Sequence, residues 1–248
     1  MKLGICTTPE HMEEAASLGF DYIELAASSL YTMSQETLEA ICQAALPVET
    51  FNVLFPGHIQ LIRGTSDEEI LAYLEETFRR VHQLGGTLVV FGSGKARAIP
   101  ADVPFEEAFA RLTHVLQMIC DTARPYGIQV AVEPLRYEET NIIHTLTEGA
   151  LLMQAACREN ASLLADLYHM HENHEPLAQI DVVPQLAHTH ISSTGRGVPV
   201  PEEAAYYQDF FDHLKASGYA GRVSIEGRID NFTEEAAAGL AVLKSLRQ

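Results

Sequence analysis

A single (β/α)8 TIM barrel is the fold class this sequence predicts, and three features predict it. Short apolar or β-branched runs alternate with longer stretches of helical spacing, and the alternation repeats eight times. The length of 248 residues also matches the roughly 250 that one such barrel needs. Strict strand–helix alternation implies parallel strands with right-handed crossovers. Eight repeats favour closure over the alternative, an open doubly wound sheet. No linker rich in Gly, Ser or Pro, no low-complexity tract and no close repeat divides the chain, so one domain over residues 1–248 is expected.

The strands expected, in order, are Leu3–Cys6, Tyr22–Leu25, Val48–Phe51, Leu88–Phe91, Gln129–Glu133, Leu163–Asp166, Ala187–Ile191 and Val223–Glu226. The helices between and after them are Pro9–Leu18, Gln35–Ala45, Asp67–Leu84, Phe105–Tyr126, Thr147–Ala156, Pro176–Val183, Tyr206–Ser217 and Thr233–Leu246. Gly19, Gly127 and Gly218 stand where the first, fourth and seventh helices should end in a left-handed residue. Ser66 with Glu69 forms a capping box ahead of the third.

Charge and cysteines narrow the partners. Thirty-four acidic against sixteen basic residues give −18, which repels phosphate backbones and anionic membrane surfaces, so no nucleic acid is expected. No apolar run approaches the roughly 18 residues that cross a bilayer, so no membrane is expected either. Cys6, Cys42, Cys120 and Cys157 are widely spaced, with no Cys-x-x-Cys pair and no secretory leader ahead of them. Reduced thiols in a cytoplasmic protein are the expectation, and a homo-oligomer formed through apolar residues of outer helices stays open.

Catalytic groups of a β/α barrel stand at the C-terminal ends of its strands. The fifth strand ends in Glu133, the sixth in Asp166, the seventh carries His190 and the eighth ends in Glu226. One such residue means little, since ion pairs and helix caps use the same side chains. Four on consecutive strands form an oxygen-rich set that suits one divalent metal ion, Mn²⁺, Mg²⁺, Co²⁺ or Zn²⁺. His169 lies three residues past Asp166, near the rim of the site, in position to donate to a substrate oxygen. His171 and His174 are read as solvated loop residues, because His-Glu-Asn-His is one residue short of the His-Glu-x-x-His zinc helix. His188 shares a strand face with His190 and is read as a buried packing histidine. Arg196, between Gly195 and Gly197, is free to reach an anionic or polyhydroxylated ligand. Lys95 and Arg97 in FGSGKAR fail the Walker spacing and are assigned to a solvated loop.

The motifs EPLRYEETN, ADLYHM, HTHISSTGR and SIEG, in this order between Glu133 and Arg228, resemble those of the sugar phosphate isomerase/epimerase superfamily, the xylose-isomerase-like barrels. Within it they are most similar to ketose 3-epimerases of the tagatose and psicose epimerase type. The resemblance implies one Mn²⁺-like ion held by Glu133, Asp166, His190 and Glu226. It also implies a small-molecule sugar substrate that passes a proton through an enediolate between Glu133 and Glu226. Glu139, His169 and Arg196 would contact the substrate, with Asn141 in support. Two departures stand out: Arg136-Tyr137 follows EPL where the family often has Asn-Arg, and GRGVPVPEE replaces a Pro-Gly after the arginine. The expected activity is that of a metal-dependent sugar epimerase or isomerase. A lyase or dehydratase acting on a keto-sugar or inosose needs the same metal and base. An endonuclease IV-like hydrolase lacks the required histidines on the third and fourth strands, and a non-catalytic sugar-binding barrel has no need of two opposed glutamates.

Overall fold

A computed structural model of the chain describes residues 1–246; residues 247 and 248, which the expected domain includes, lie outside the described residues. Eight parallel strands close into a barrel in sequence order. They are β1 (Lys2–Cys6), β2 (Tyr22–Ala26), β3 (Val48–Asn52), β4 (Leu88–Phe91), β5 (Gln129–Val132), β6 (Ala161–Asp166), β7 (Leu186–Ile191) and β8 (Arg222–Ile225). Closure is made by β8 on β1, in register from Lys2↔Arg222 to Ile5↔Ile225. The open-sheet alternative is thereby excluded.

The helices are α1 (Met12–Leu18), α2 (Ala27–Leu30), α3 (Gln35–Cys42), α4 (Asp67–Gln83), α5 (Gly94–Arg97), α6 (Phe105–Ala123), α7 (Leu146–Ala156), α8 (Leu167–Glu172), α9 (Ala204–Ala216) and α10 (Phe232–Leu246). The expected punctuation is present: Gly19, Gly127 and Gly218 take positive φ, and Ser66 and Glu69 close a capping box on α4. Two expectations need correction. The helix expected over Pro176–Val183 is only a 3-10 turn, Leu177–Asp181. The short helices α2 and α8 follow β2 and β6 directly, and α5 follows β4 after two residues, where no helix was foreseen. For α8 the cause is local: Asp166, the last residue of β6, accepts from the Tyr168 and His169 N–H groups at 2.7 and 3.4 Å and so caps the helix as the strand ends. Among the described residues no helix is long and apolar enough to cross a membrane.

Most buried apolar side chains form one layer between strands and helices. Inside the barrel the apolar filling is small: Leu88, Val90, Ala131 and Leu164, all buried. The other inward positions follow the two-residue period of a strand and are polar: Tyr22 and Glu24 on β2, Thr50 and Asn52 on β3, His188 and His190 on β7, and Ser224 on β8, each buried. Gly4 on β1 leaves room for the Tyr22 ring, which any Cβ at that position would strike.

Two register slips aim this polar half. Between β2 and β3 the pairing jumps from Ile23↔Val48 to Glu24↔Thr50, leaving Glu49 unmatched. Between β6 and β7 it jumps from Leu163↔Leu186 to Leu164↔His188, leaving Ala187 unmatched. Such irregularities re-aim side chains at barrel rims. Here they set Thr50 beside Glu24 and His190 beside Asp166. At the N-terminal end Glu49 instead turns to Lys2 and Arg222 and ties β1, β3 and β8 together.

Candidate active site

The strand ends bring Glu133, Asp166, His190 and Glu226 together, with one donor atom of each lying within 4.8 Å of the others. His190 Nδ1 stands 3.3 Å from Glu133 Oε1, 3.4 Å from Glu226 Oε2 and 3.9 Å from Asp166 Oδ2. The first three residues of the set are buried and Glu226 is half-buried. Gly92, just past β4, is the space the Glu133 carboxylate occupies; a Cβ there would collide with Glu133 Oε2.

Three polar atoms here are buried and make no hydrogen bond: Glu133 Oε1, His190 Nδ1 and His169 Nε2. Buried polar atoms are ordinarily satisfied, so a cluster of orphans calls for a missing partner. Three carboxylates converging on one imidazole also carry more negative charge than their surroundings neutralise. Both facts fit a hard or borderline divalent cation bound by oxygen atoms and one imidazole.

The ionisation pattern reflects the crowding. Burial, then the Glu226 charge, raises the Glu133 carboxyl above its ordinary value against the pull of His190. Burial acts the same way on Glu226, but His190 and Arg196 outweigh it and hold that carboxyl well below. Burial opposes charge on His190, yet Glu24 and Glu226 lift it well above the usual histidine range.

Around the ring stand its supports. Asn52 Nδ2 donates to Glu226 Oε1 at 2.8 Å. Arg196 donates to Glu226 Oε2 at 2.8 Å and to Asp166 Oδ2 at 3.3 Å, with its guanidinium 4.5 Å over the Tyr168 ring. Arg136 approaches the same ring at 5.3 Å. His169 receives the Arg136 N–H at Nδ1, 3.3 Å away, so its hydrogen sits on the orphan Nε2, a buried donor 3.7 Å from Asp166 Oδ2.

Not every expected residue joins the ring. Glu139 is exposed and accepts from Arg136 Nε at 2.8 Å. Asn141 is exposed too, and its amide clamps both backbone groups of Ile99 at 2.8 and 2.9 Å, which makes it a loop tie. Lys95 is exposed as expected, but the solvated-loop assignment of Arg97 is wrong: its side chain is wholly buried on α5. Its guanidinium donates to the carbonyls of Phe91 and Ile143 at 3.3 and 3.2 Å, tying the end of β4 to the loop after β5. Burial brings its pKa down to about 10. His171 and His174 are exposed, His171 on α8 rather than in a loop. His188 is buried, but against a carboxylate and not apolar neighbours: its Nε2 lies 2.7 Å from Glu24 Oε2.

The sequence reading missed Glu24, Asn52 and Tyr168. The signal for the first two was the two-residue alternation in YIELA and VETFN, which points Glu24 and Asn52 to the same interior as His190.

Comparison with known proteins agrees with this architecture. A family model described as xylose isomerase-like TIM barrel matches residues 12–246. The chain is 26% identical over 220 residues to a 3-dehydro-D-guloside 4-epimerase of Escherichia coli K12, covering 86% of this chain and 84% of the relative. It is 25% identical over 230 residues to a D-psicose 3-epimerase of Agrobacterium fabrum, covering 87% and 78%. A crystal structure of a D-psicose 3-epimerase in the presence of D-fructose superposes with a TM-score of 0.85 at 21% identity over 99% of both chains, a likeness of fold.

Proposed function

We propose that this chain, which belongs to the xylose isomerase-like TIM barrel family, is a divalent-metal-dependent epimerase that inverts the carbon beside the ketone of a keto-sugar. The observation that carries the reading is the ring itself: two glutamates that both approach His190 Nδ1, at 3.3 and 3.4 Å, among buried atoms that lack partners. The two relatives agree in chemistry, since a 3-dehydro sugar 4-epimerase and a ketose 3-epimerase both invert a carbon adjacent to a ketone.

Glu133, Asp166, His190 and Glu226 would hold one ion, Mn²⁺ by preference, with Mg²⁺, Co²⁺ or Zn²⁺ as substitutes. When bound, that ion supplies positive charge that polarises the substrate carbonyl and makes the neighbouring C–H more acidic. The rest falls to the chain. One of Glu133 and Glu226 takes the proton from the carbon and the other returns a proton to the opposite face, so configuration inverts through an enediolate. His169 donates from Nε2 to a sugar oxygen, and Arg196 holds a second oxygen while its stacking on Tyr168 fixes its direction. Glu139 joins from the rim, where Arg136 holds it. Asn141 acts at a distance, by fixing the loop at Ile99. We further infer one domain over the whole chain, a cytoplasmic setting in keeping with its four free cysteines, and no nucleic-acid partner given the charge of −18.

The test is deuterium uptake from heavy water into D-psicose, L-ribulose, a 3-keto-glycoside and phosphorylated ketoses, with Mn²⁺ and with chelator, read by NMR. Metal-dependent label at the carbon beside the ketone, with the inverted product, is the expected result. Label with loss of water identifies a lyase, label moved to the neighbouring carbon an isomerase, and no label in any sugar refutes the proton-transfer reading.

A further inference from the structure

Beneath the ring, inside the barrel, lies a second cluster that shares one member with it. Glu24 is wholly buried on β2 and its two oxygens are used unequally. Oε2 receives Thr50 Oγ1 at 2.9 Å, Ser224 Oγ at 2.5 Å and His188 Nε2 at 2.7 Å. Oε1 receives His190 Nε2 alone, at 3.0 Å. Tyr22 lies behind Ser224, its hydroxyl 2.6 Å from Ser224 Oγ; with the serine hydrogen directed at Glu24, the tyrosine donates to the serine. Every donor in the cluster therefore has an acceptor.

This arrangement decides how His190 presents itself above. A carboxylate accepts and does not donate, so the histidine nitrogen facing Glu24 carries the hydrogen. That nitrogen is Nε2. The other, Nδ1, is the one turned into the ring, 3.3 Å from Glu133 and 3.4 Å from Glu226. The three donors on Oε2 come from β3, β7 and β8, so the carboxylate is locked from three strands while its remaining oxygen is given wholly to His190.

We propose that Glu24 is the positioning residue of the metal centre: it reserves Nε2 of His190 for hydrogen and fixes the ring plane, so that Nδ1 faces the carboxylates as a ligand. This rests on the reading of the ring as a cation site. It assigns the barrel's buried polar half a function beyond filling space, in the manner by which outer partners of metal-bound histidines fix tautomer and orientation.

The unequal use of the oxygens makes a sharp test. Glu24→Gln keeps the shape, but its amide oxygen takes the end that meets three donors, and its NH₂ group then faces His190 Nε2. That nitrogen must become an acceptor, and the hydrogen moves to Nδ1, where the cation would bind. The expected result is Mn²⁺ affinity weakened about 10–100-fold in titrations of E24Q against wild type, with the thermal midpoints of the metal-free proteins close together. Metal-free wild-type protein with ¹⁵N-labelled histidine should show exchange-protected Nε2–H signals for both His188 and His190, and the His190 signal should disappear in E24Q.

Equal Mn²⁺ affinity in E24Q and wild type overturns the proposal, as does a His190 Nε2 without hydrogen in the wild-type spectrum, which needs no variant. If wild type takes up no Mn²⁺ while the Nε2–H signals are present, the cation reading of the ring is what fails, and the hold of Glu24 on His190 stands.

Discussion

Two clusters of acid and histidine share His190, and they are built on opposite principles. In the inner one a single carboxylate, Glu24, is surrounded by donors from Thr50, Ser224, His188 and His190. His188 and His190 outweigh the effect of burial and hold the Glu24 carboxyl well below its ordinary value. In the outer one three carboxylates meet the other nitrogen of His190, with Arg196 at the rim, and atoms are left without partners. Both clusters are buried and both could be described as metal-ligand sets by spacing alone. Charge separates them more than satisfaction does: the inner cluster has an acceptor for each donor on Glu24, with His188 Nδ1 unpartnered among the described residues, and stabilises the barrel, while the outer has surplus negative charge and stabilises something that binds.

The largest expected effect tests the outer cluster. Glu133→Gln or Glu226→Gln should lower turnover by about 10²–10⁴-fold in steady-state assays. The unfolding midpoint of the metal-free Glu133→Gln protein should stay level or rise, because burial and the Glu226 charge disfavour that carboxylate, whereas Glu226→Gln loses a charge that His190 and Arg196 favour and should lower it. Against Glu133→Gln, the inner cluster should answer the other way. Glu24→Leu leaves four donors buried without an acceptor, and urea unfolding should show a loss of about 3–5 kcal/mol. Equal stability losses in Glu133→Gln and Glu24→Leu would erase the distinction.

A half-buried carboxyl outside both clusters sharpens it. Glu175 accepts from the Leu146 N–H at 2.8 Å, but its second oxygen is orphaned. Burial, with Glu148 nearby, raises its pKa to about 7. Since the folded value lies above the unfolded one, the folded state binds more protons between the two, and the contribution of this group falls as pH rises from the unfolded value through about 7. Glu175→Gln should therefore stabilise the protein at pH ~8 by on the order of 1–2 kcal/mol after allowance for solvent screening, and have little effect at pH ~4, in paired denaturation curves. The smallest effect belongs to Asn141→Ala, which removes two hydrogen bonds to Ile99 at the surface and should cost about 0.5–1.5 kcal/mol, with a far smaller loss of turnover than at Glu133 or Glu226.

The outer cluster was legible in the sequence because each member ends or nearly ends a strand. Glu133 and Glu226 fall one residue beyond β5 and β8, where a reading by apolar runs still includes them. The capped helices were legible for the same local reason: Ser66, Gly19 and Gly127 act within their own turn. Glu24 was not, because its importance depends on register. Only the slip that leaves Glu49 unmatched sets Thr50 beside Glu24, and only closure of β8 on β1 brings Ser224 to the same point. Arg97 was misread because its partners, the Phe91 carbonyl at the end of β4 and the Ile143 carbonyl in the loop after β5, lie on separate segments. The turn after Pro176 failed as a helix because apolar spacing there serves packing of a single turn, with Leu177 and Ile180 buried.

The most direct measurement is anomalous diffraction at the manganese edge from crystals grown with Mn²⁺, joined to a titration of stoichiometry in solution. The account predicts one ion per chain and one peak, enclosed by Glu133, Asp166, His190 Nδ1 and Glu226. A peak between Glu24, His188 and His190, or no bound ion at all, would contradict it.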